Sequence, residues 1–168
     1  MMTFDELLKA LGDQLGIELT QDDGTCALQV DDMEVRIHHL AQADLLLLDA
    51  EVGAPPPQGL DGLHQTMLNA NYLHAGTGAA TLSRKSDDGT YHLQQADWLG
   101  RLDGASLADA LERFIDTLEM WRRLLADYRE HTAHDDDDDD APEDSQPSAA
   151  DPLGPVDLGS FSGGFLRV

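Results

Sequence analysis

The sequence predicts an α+β fold: one twisted antiparallel sheet with helices packed on it, in the order α-β-β-β-α-β-β-α. Two observations carry this. Alternating apolar and polar runs come in pairs around turn-forming residues, as antiparallel hairpins require. Segments with helical spacing of apolar residues stand before, between and after those pairs. Apolar residues make up 41% of the chain and aromatic residues only 5%, so aliphatic side chains must fill the core.

The elements follow in chain order. Thr3-Phe4-Asp5-Glu6 reads as a capping box, with a threonine cap and a glutamate three residues on. Phe4, Leu7, Leu8, Leu11 and Leu15 then keep helical spacing, and Gly16 is placed to end the helix, predicted over 3–15. Cys26, Leu28 and Val30 alternate, as do Met33, Val35 and Ile37, with Asp31-Asp32 between them: a hairpin, although Asp-Asp is a weaker turn than Asn-Gly. A third strand at about 44–51 holds LLLL, a continuous apolar run that predicts burial on both faces.

Pro55-Pro56-Pro57 is a stiff extended linker. Leu60, Leu63, Met67, Leu68 and Tyr72 make a second helix over 60–73. ATLSRK and TYHLQQAD, joined by Ser86-Asp87-Asp88-Gly89, form a second hairpin. Ser106 is expected to cap the last helix, in which Leu107, Leu111, Phe114, Leu118, Trp121, Leu125 and Tyr128 step by fours and threes. Such a stripe is a core face rather than a cofactor site.

Three units are expected: a folded domain over 1–130, a disordered acidic linker over 131–155, and a short apolar segment over 156–168. The stretch from His131 is acidic, rich in proline and poor in apolar residues. The last stretch regains Val156, Leu158, Phe161, Phe165, Leu166 and Val168 but is too short to fold alone.

The formal net charge is −23. Residues 1–130 carry 23 acidic and 9 basic side chains, a net of −14; residues 131–168 carry 10 and 1, a net of −9. That excludes the basic patches that nucleic acids and anionic membranes require. Cys26 stands alone, so no internal disulfide is possible, in keeping with a reducing cytoplasm. The amphipathic, acidic N-terminus lacks the features of a signal peptide, and no apolar run approaches the roughly 20 residues of a membrane span.

No enzyme chemistry is legible. Gly76-Thr77-Gly78 lacks the spacing of a dinucleotide or phosphate loop. Cys26 sits at an inward strand position and reads as a small buried hydrophobe. His38 and His39 are adjacent on a strand and point to opposite faces, and His64 and His74 share no helix face; all four are expected at surfaces or edges. His131, His134 and Asp135 to Asp140 offer two readings, a weak collector of divalent cations or a solvated acidic spacer. Spaced ligands and a glycine turn are missing, which favours the spacer. No cofactor or metal is expected.

The element order, with Leu68-Asn69-Ala70-Asn71 closing the middle helix, resembles the Tir-chaperone (CesT-like) family, the class I chaperones of type III secretion. Gly76-Thr77-Gly78-Ala79-Ala80 after that signature, and DDGTCAL at Asp22 to Leu28, match the family pattern too. The resemblance covers residues 3 to about 130. It implies a non-enzymatic cytoplasmic bacterial homodimer associated with virulence, whose partner is the N-terminal segment of a secreted effector, kept competent for secretion. It implies that the cargo adds a strand to a sheet edge and fills grooves beside the first helix. Candidate cargo-binding residues are Phe4, Leu8, Leu11, Val35 and Ile37, each of which also has a plain core reading. The candidate dimer interface is Leu60, Leu63, Met67, Leu68 and Asn71, with Asn71 either bonding across the dimer or capping its own helix. Residues 160–168, SFSGGFLRV, are read as occupying the cargo groove when it is empty, as recruiting another component, or as inert. The rival reading is an acidic regulatory protein that sequesters a basic partner.

Overall fold

A computed structural model describes residues 2–134, with side chains through residue 131. Helix α1 spans Phe4–Leu15, followed by strands β1 (Thr25–Val30), β2 (Met33–Leu40) and β3 (Leu45–Gly53). Helix α2 (Leu60–Asn71) runs into a 3₁₀ turn at Tyr72–His74, then come β4 (Thr81–Arg84) and β5 (Tyr91–Trp98). A second 3₁₀ turn at Leu99–Arg101 leads into α3, Gly104–His134.

The strands form one antiparallel sheet in the order β1-β2-β3-β5-β4. Directly paired residues share a face, so the register reads out the inner layer. One row crosses the whole sheet: Leu28, Val35, Ala50, Leu93 and Leu82. A second runs Cys26, Ile37, Leu48 and Gln95. These residues are buried, in one cluster with the inward faces of all three helices, Gln95 being the polar exception.

The capping box forms: Glu6 N–H donates to Thr3 Oγ1 and Thr3 N–H to the Glu6 carboxylate, while Gly16 ends the helix in the left-handed region. The whole α3 stripe from Leu107 to Tyr128 is buried. Gly104 is needed where α3 begins, because a Cβ there would come within 2.8 Å of Ala10 on α1.

Three expectations are corrected. The cap of α3 is Asp103, not Ser106: Asp103 Oδ1 accepts from Ser106 N–H at 2.8 Å, and Ser106 Oγ accepts from Asp103 N–H. These bonds hold the Asp103 carboxyl below its usual range. Strand β3 is not buried on both faces; Leu46 and Leu48 face the core, whereas Leu45 and Leu47 lie half-buried on the side without helices. The apolar run hid an ordinary alternation. Helix α3 also continues through residues 131–134, which the sequence reading gave to the linker. The rest of that linker, Asp135 to Asp140 and the apolar segment 156–168 lie outside the described residues.

Candidate partner-binding surfaces

A sheet edge is a row of unpaired backbone groups, so the two edge strands, β4 and β1, are where an extended partner would join. They differ. At the β4 edge, Asn71 at the end of α2 turns its carboxamide onto the strand. Its Nδ2 donates to Leu82 O at 3.0 Å and its Oδ1 accepts from Leu82 N–H at 2.8 Å. The side chain thus imitates one residue of a pairing strand. Ala80, the next outward-facing residue on that edge, is also occupied: its N–H bonds Thr77 O and its carbonyl lies 2.8 Å from His74 Nδ1. The two asparagines at the end of a buried helix are therefore not equivalent. Asn71 closes the sheet edge, while Asn69 faces outward. Asn71→Ala removes both bonds and is expected to cost about 1–2 kcal/mol, read as a lower Tm. It should also speed hydrogen exchange at the Leu82 amide.

The β1 edge is open. Asp22 and Thr25 exchange both backbone bonds at 2.8 and 2.9 Å, so the Thr25 peptide groups point away from β2. By antiparallel alternation those of Ala27 and Gln29 do the same, and among the described residues no strand lies beyond β1. Beside this edge runs a groove of about 450 Å³. Leu15 and Ile17 at the end of α1 form one wall, Leu28 and Val30 of β1 another, and Leu111 and Ile115 of α3 a third. Leu15 and Ile17 are exposed although large and apolar. Asp109, Glu112 and Asp116 of α3 rim the groove.

A second apolar patch lies on α2 and the turn after it. Leu68, Tyr72 and Leu73 are 69%, 73% and 80% exposed, and Leu60 at the start of α2 is exposed too. Leu73 and His74 both adopt left-handed backbone, at φ 53° and 54°. For residues other than glycine this costs about 1 kcal/mol or more each. The same turn brings His74 onto Ala80 and leaves Leu73 fully displayed.

The helix-free face of the sheet is apolar at one end, where Leu40, Leu45 and Trp98 share a row beside Leu47, and polar at the other. Its Asp49 carboxylate is buried and satisfied, accepting from Gln94 Nε2 at 3.0 Å with His92 Nδ1 at 3.1 Å. In the cleft beside it, Arg36 pairs with Glu34 and Arg122 with Asp32. Among the described residues no three His, Cys, Asp or Glu side chains gather as metal ligands. No described helix is long and apolar enough to cross a membrane. Cys26 is buried, and burial pushes its thiol pKa up, so it is not an activated nucleophile. The histidines are less peripheral than expected: His64 Nε2 lies 2.8 Å from the buried Tyr91 hydroxyl, and His39 stacks on Phe4 at 5.2 Å.

The proposed cargo residues Phe4, Leu8, Leu11, Val35 and Ile37 are all buried in the chain's own core, so none lines an open surface. The exposed apolar residues near α1 are Leu15 and Ile17, one turn beyond the buried stripe. Helical spacing counted Leu15 with the buried stripe, but it is exposed; Ile17, apolar just past Gly16, was the signal in the sequence. The dimer candidates divide. Leu63 and Met67 are core, with Ala70 completing the inward stripe; Leu60 and Leu68 are exposed; Asn71 is engaged with Leu82.

The comparisons agree with this architecture. In solved structures the fold is similar to a chain of the HopA1–SchA chaperone–effector complex, with a TM-score of 0.58 at 22% identity over 76% of this chain and 93% of that one. It is similar to a chain of the ExsC–ExsE complex, with a TM-score of 0.61 at 22% identity over 72% and 92%. A chain of the heterodimeric ExoU–SpcU complex from the type III secretion system of Pseudomonas aeruginosa matches with a TM-score of 0.55 at 27% identity over 71% and 95%. No curated protein matches the sequence. The family model of the Tir chaperone protein (CesT) family matches residues 6–122, well over half of the 168, and the chain belongs to that family.

Proposed function

We propose that this chain is a type III secretion chaperone that binds the N-terminal region of a secreted effector in extended form along the β1 edge. On this reading the partner strand pairs with the outward peptide groups of Ala27 and Gln29. Its alternate apolar side chains enter the groove between Leu15, Ile17, Val30 and Ile115. Backbone pairing supplies affinity and the groove supplies specificity. The observation that carries this is the contrast between edges: β4 is covered at Ala80 and Leu82 by His74 and Asn71, whereas β1 is open at Ala27 and Gln29 beside unfilled apolar surface. Binding alone holds the effector segment unfolded, and no nucleotide or metal chemistry enters. The chain acts as a homodimer in the bacterial cytoplasm, joined through Leu60, Leu68, Tyr72 and Leu73, whose exposure supports that role.

The test is hydrogen exchange on the chaperone co-purified with its effector. The reading expects protection of the Ala27 and Gln29 amides, and of one N-terminal stretch of the partner. It also expects the complex to survive about 1 M salt, where charge-led association is screened within about 3 Å. Protection confined to the polar end of the helix-free face, or dissociation in salt, overturns it in favour of an acidic regulator.

A further inference from the structure

We infer that residues 161–168 of this same chain seat in the β1 groove when no effector occupies it. The inference rests on the reading of that groove as a strand-accepting site. Three observations carry it.

The first is the pattern of the segment. Phe161-Ser162-Gly163-Gly164-Phe165-Leu166-Arg167-Val168, laid out as a strand, places Phe161, Gly163, Phe165 and Arg167 on one face. Two aromatic rings and one cation then point the same way, with Ser162, Gly164, Leu166 and Val168 on the other face. The second is charge. The groove is apolar at its floor, and its α3 rim carries Asp109, Glu112 and Asp116. No ion pair among the described residues neutralises them. Arg167 is the single basic residue in 131–168. It stands two positions past Phe165, so with Phe165 in the groove the guanidinium meets the rim.

The third is reach. At about 1.5 Å per residue, Glu112 lies about 33 Å back along α3 from His134. The 26 residues from 135 to 160 span about 28 Å as a flexible chain and up to about 86 Å when extended. Ten acidic and no basic residues in that stretch repel one another, which lengthens the tether from about 28 Å towards the gap of about 33 Å. A tether whose typical length matches the gap gives an effective concentration near the millimolar range. Against that, a segment with a Kd of about 0.1 mM is docked about nine-tenths of the time and slows exchange at the covered amides about tenfold. An effector that pairs along the full edge displaces it. The segment thereby shields the exposed Leu15 and Ile17 and sets a threshold for weaker peptides.

Hydrogen exchange on the full chain tests this, comparing wild type with Phe161→Ser/Phe165→Ser. The inference expects the Ala27 and Gln29 amides to exchange about tenfold faster in the variant, and a synthetic peptide of residues 158–168 to restore protection. Equal rates in the two proteins overturn it. If the added peptide then protects both, the groove still takes strands and only self-occupation fails. If it protects neither, the strand-accepting reading falls with it. A second measurement uses Ile115→Cys/Phe165→Cys in the full chain, with the buried Cys26 thiol slow to react. A disulfide within one chain, formed independently of protein concentration, supports the inference. A disulfide found only between chains, or none, overturns it.

Discussion

Met67→Glu is expected to destabilise the fold severely, whereas Leu68→Glu, one residue on, is expected to leave it folded and to split the proposed dimer. Met67 is 7% exposed and packs with Leu63 and Ala70 on the inward face of α2. A carboxylate there is buried without a partner, at a cost of about 4 kcal/mol. That is a large share of the roughly 5–15 kcal/mol that holds a domain of this kind. Leu68 is 69% exposed, and nothing in the chain's own core depends on it. Glutamate at 68 is expected to leave Tm within a few degrees while lowering the solution mass to that of one chain. Circular dichroism melts and light scattering on both variants check the pair. A dimeric Leu68→Glu protein of normal stability removes the α2 patch as the interface.

The second large effect is on binding. Ile115→Asp places a fourth carboxylate among Asp109, Glu112 and Asp116 and removes an apolar wall of the groove. Ile115 is half-buried and packs against the core, so a lower Tm is expected as well and affinity is compared on the folded proteins. Affinity for the effector's N-terminal segment is expected to fall about a hundredfold, from a lost apolar contact and the cost of desolvating a charge. Phe4→Ala serves as the contrast. Phe4 is core, and its loss should lower Tm without a comparable fall in affinity once both proteins are folded. Calorimetric titration with the effector segment separates the two. Equal affinity losses for both variants would return the cargo site to α1.

Both predictions turn on which apolar residues face inward, and that is where legibility in the sequence ended. Periodicity marked α3 well because its stripe is long and regular: every position from Leu107 to Tyr128 named from spacing is core, whereas on α1 it overran by one turn, to the exposed Leu15. On α2 the apolar residues Leu60, Leu63, Met67, Leu68 and Tyr72 spread round the helix and fix no phase. Spacing alone could not separate the inward Met67 from the outward Leu68. Strand β3 failed for a related reason: four leucines in a row conceal the alternation that its neighbours show.

By itself the sequence determined the element order, the hairpins, the caps at Thr3 and Gly16, the core stripe of α3 and the family. All of these are written in local spacing and in a few turn and cap residues. Only the tertiary structure decided which sheet edge is open. Asn71 and Leu82 are eleven residues apart, and their pairing depends on how α2 lies over β4. The groove likewise joins Ile17, Val30 and Ile115 from three separate elements. No local pattern encodes such a meeting, because it is set by how the helices pack on the twisted sheet.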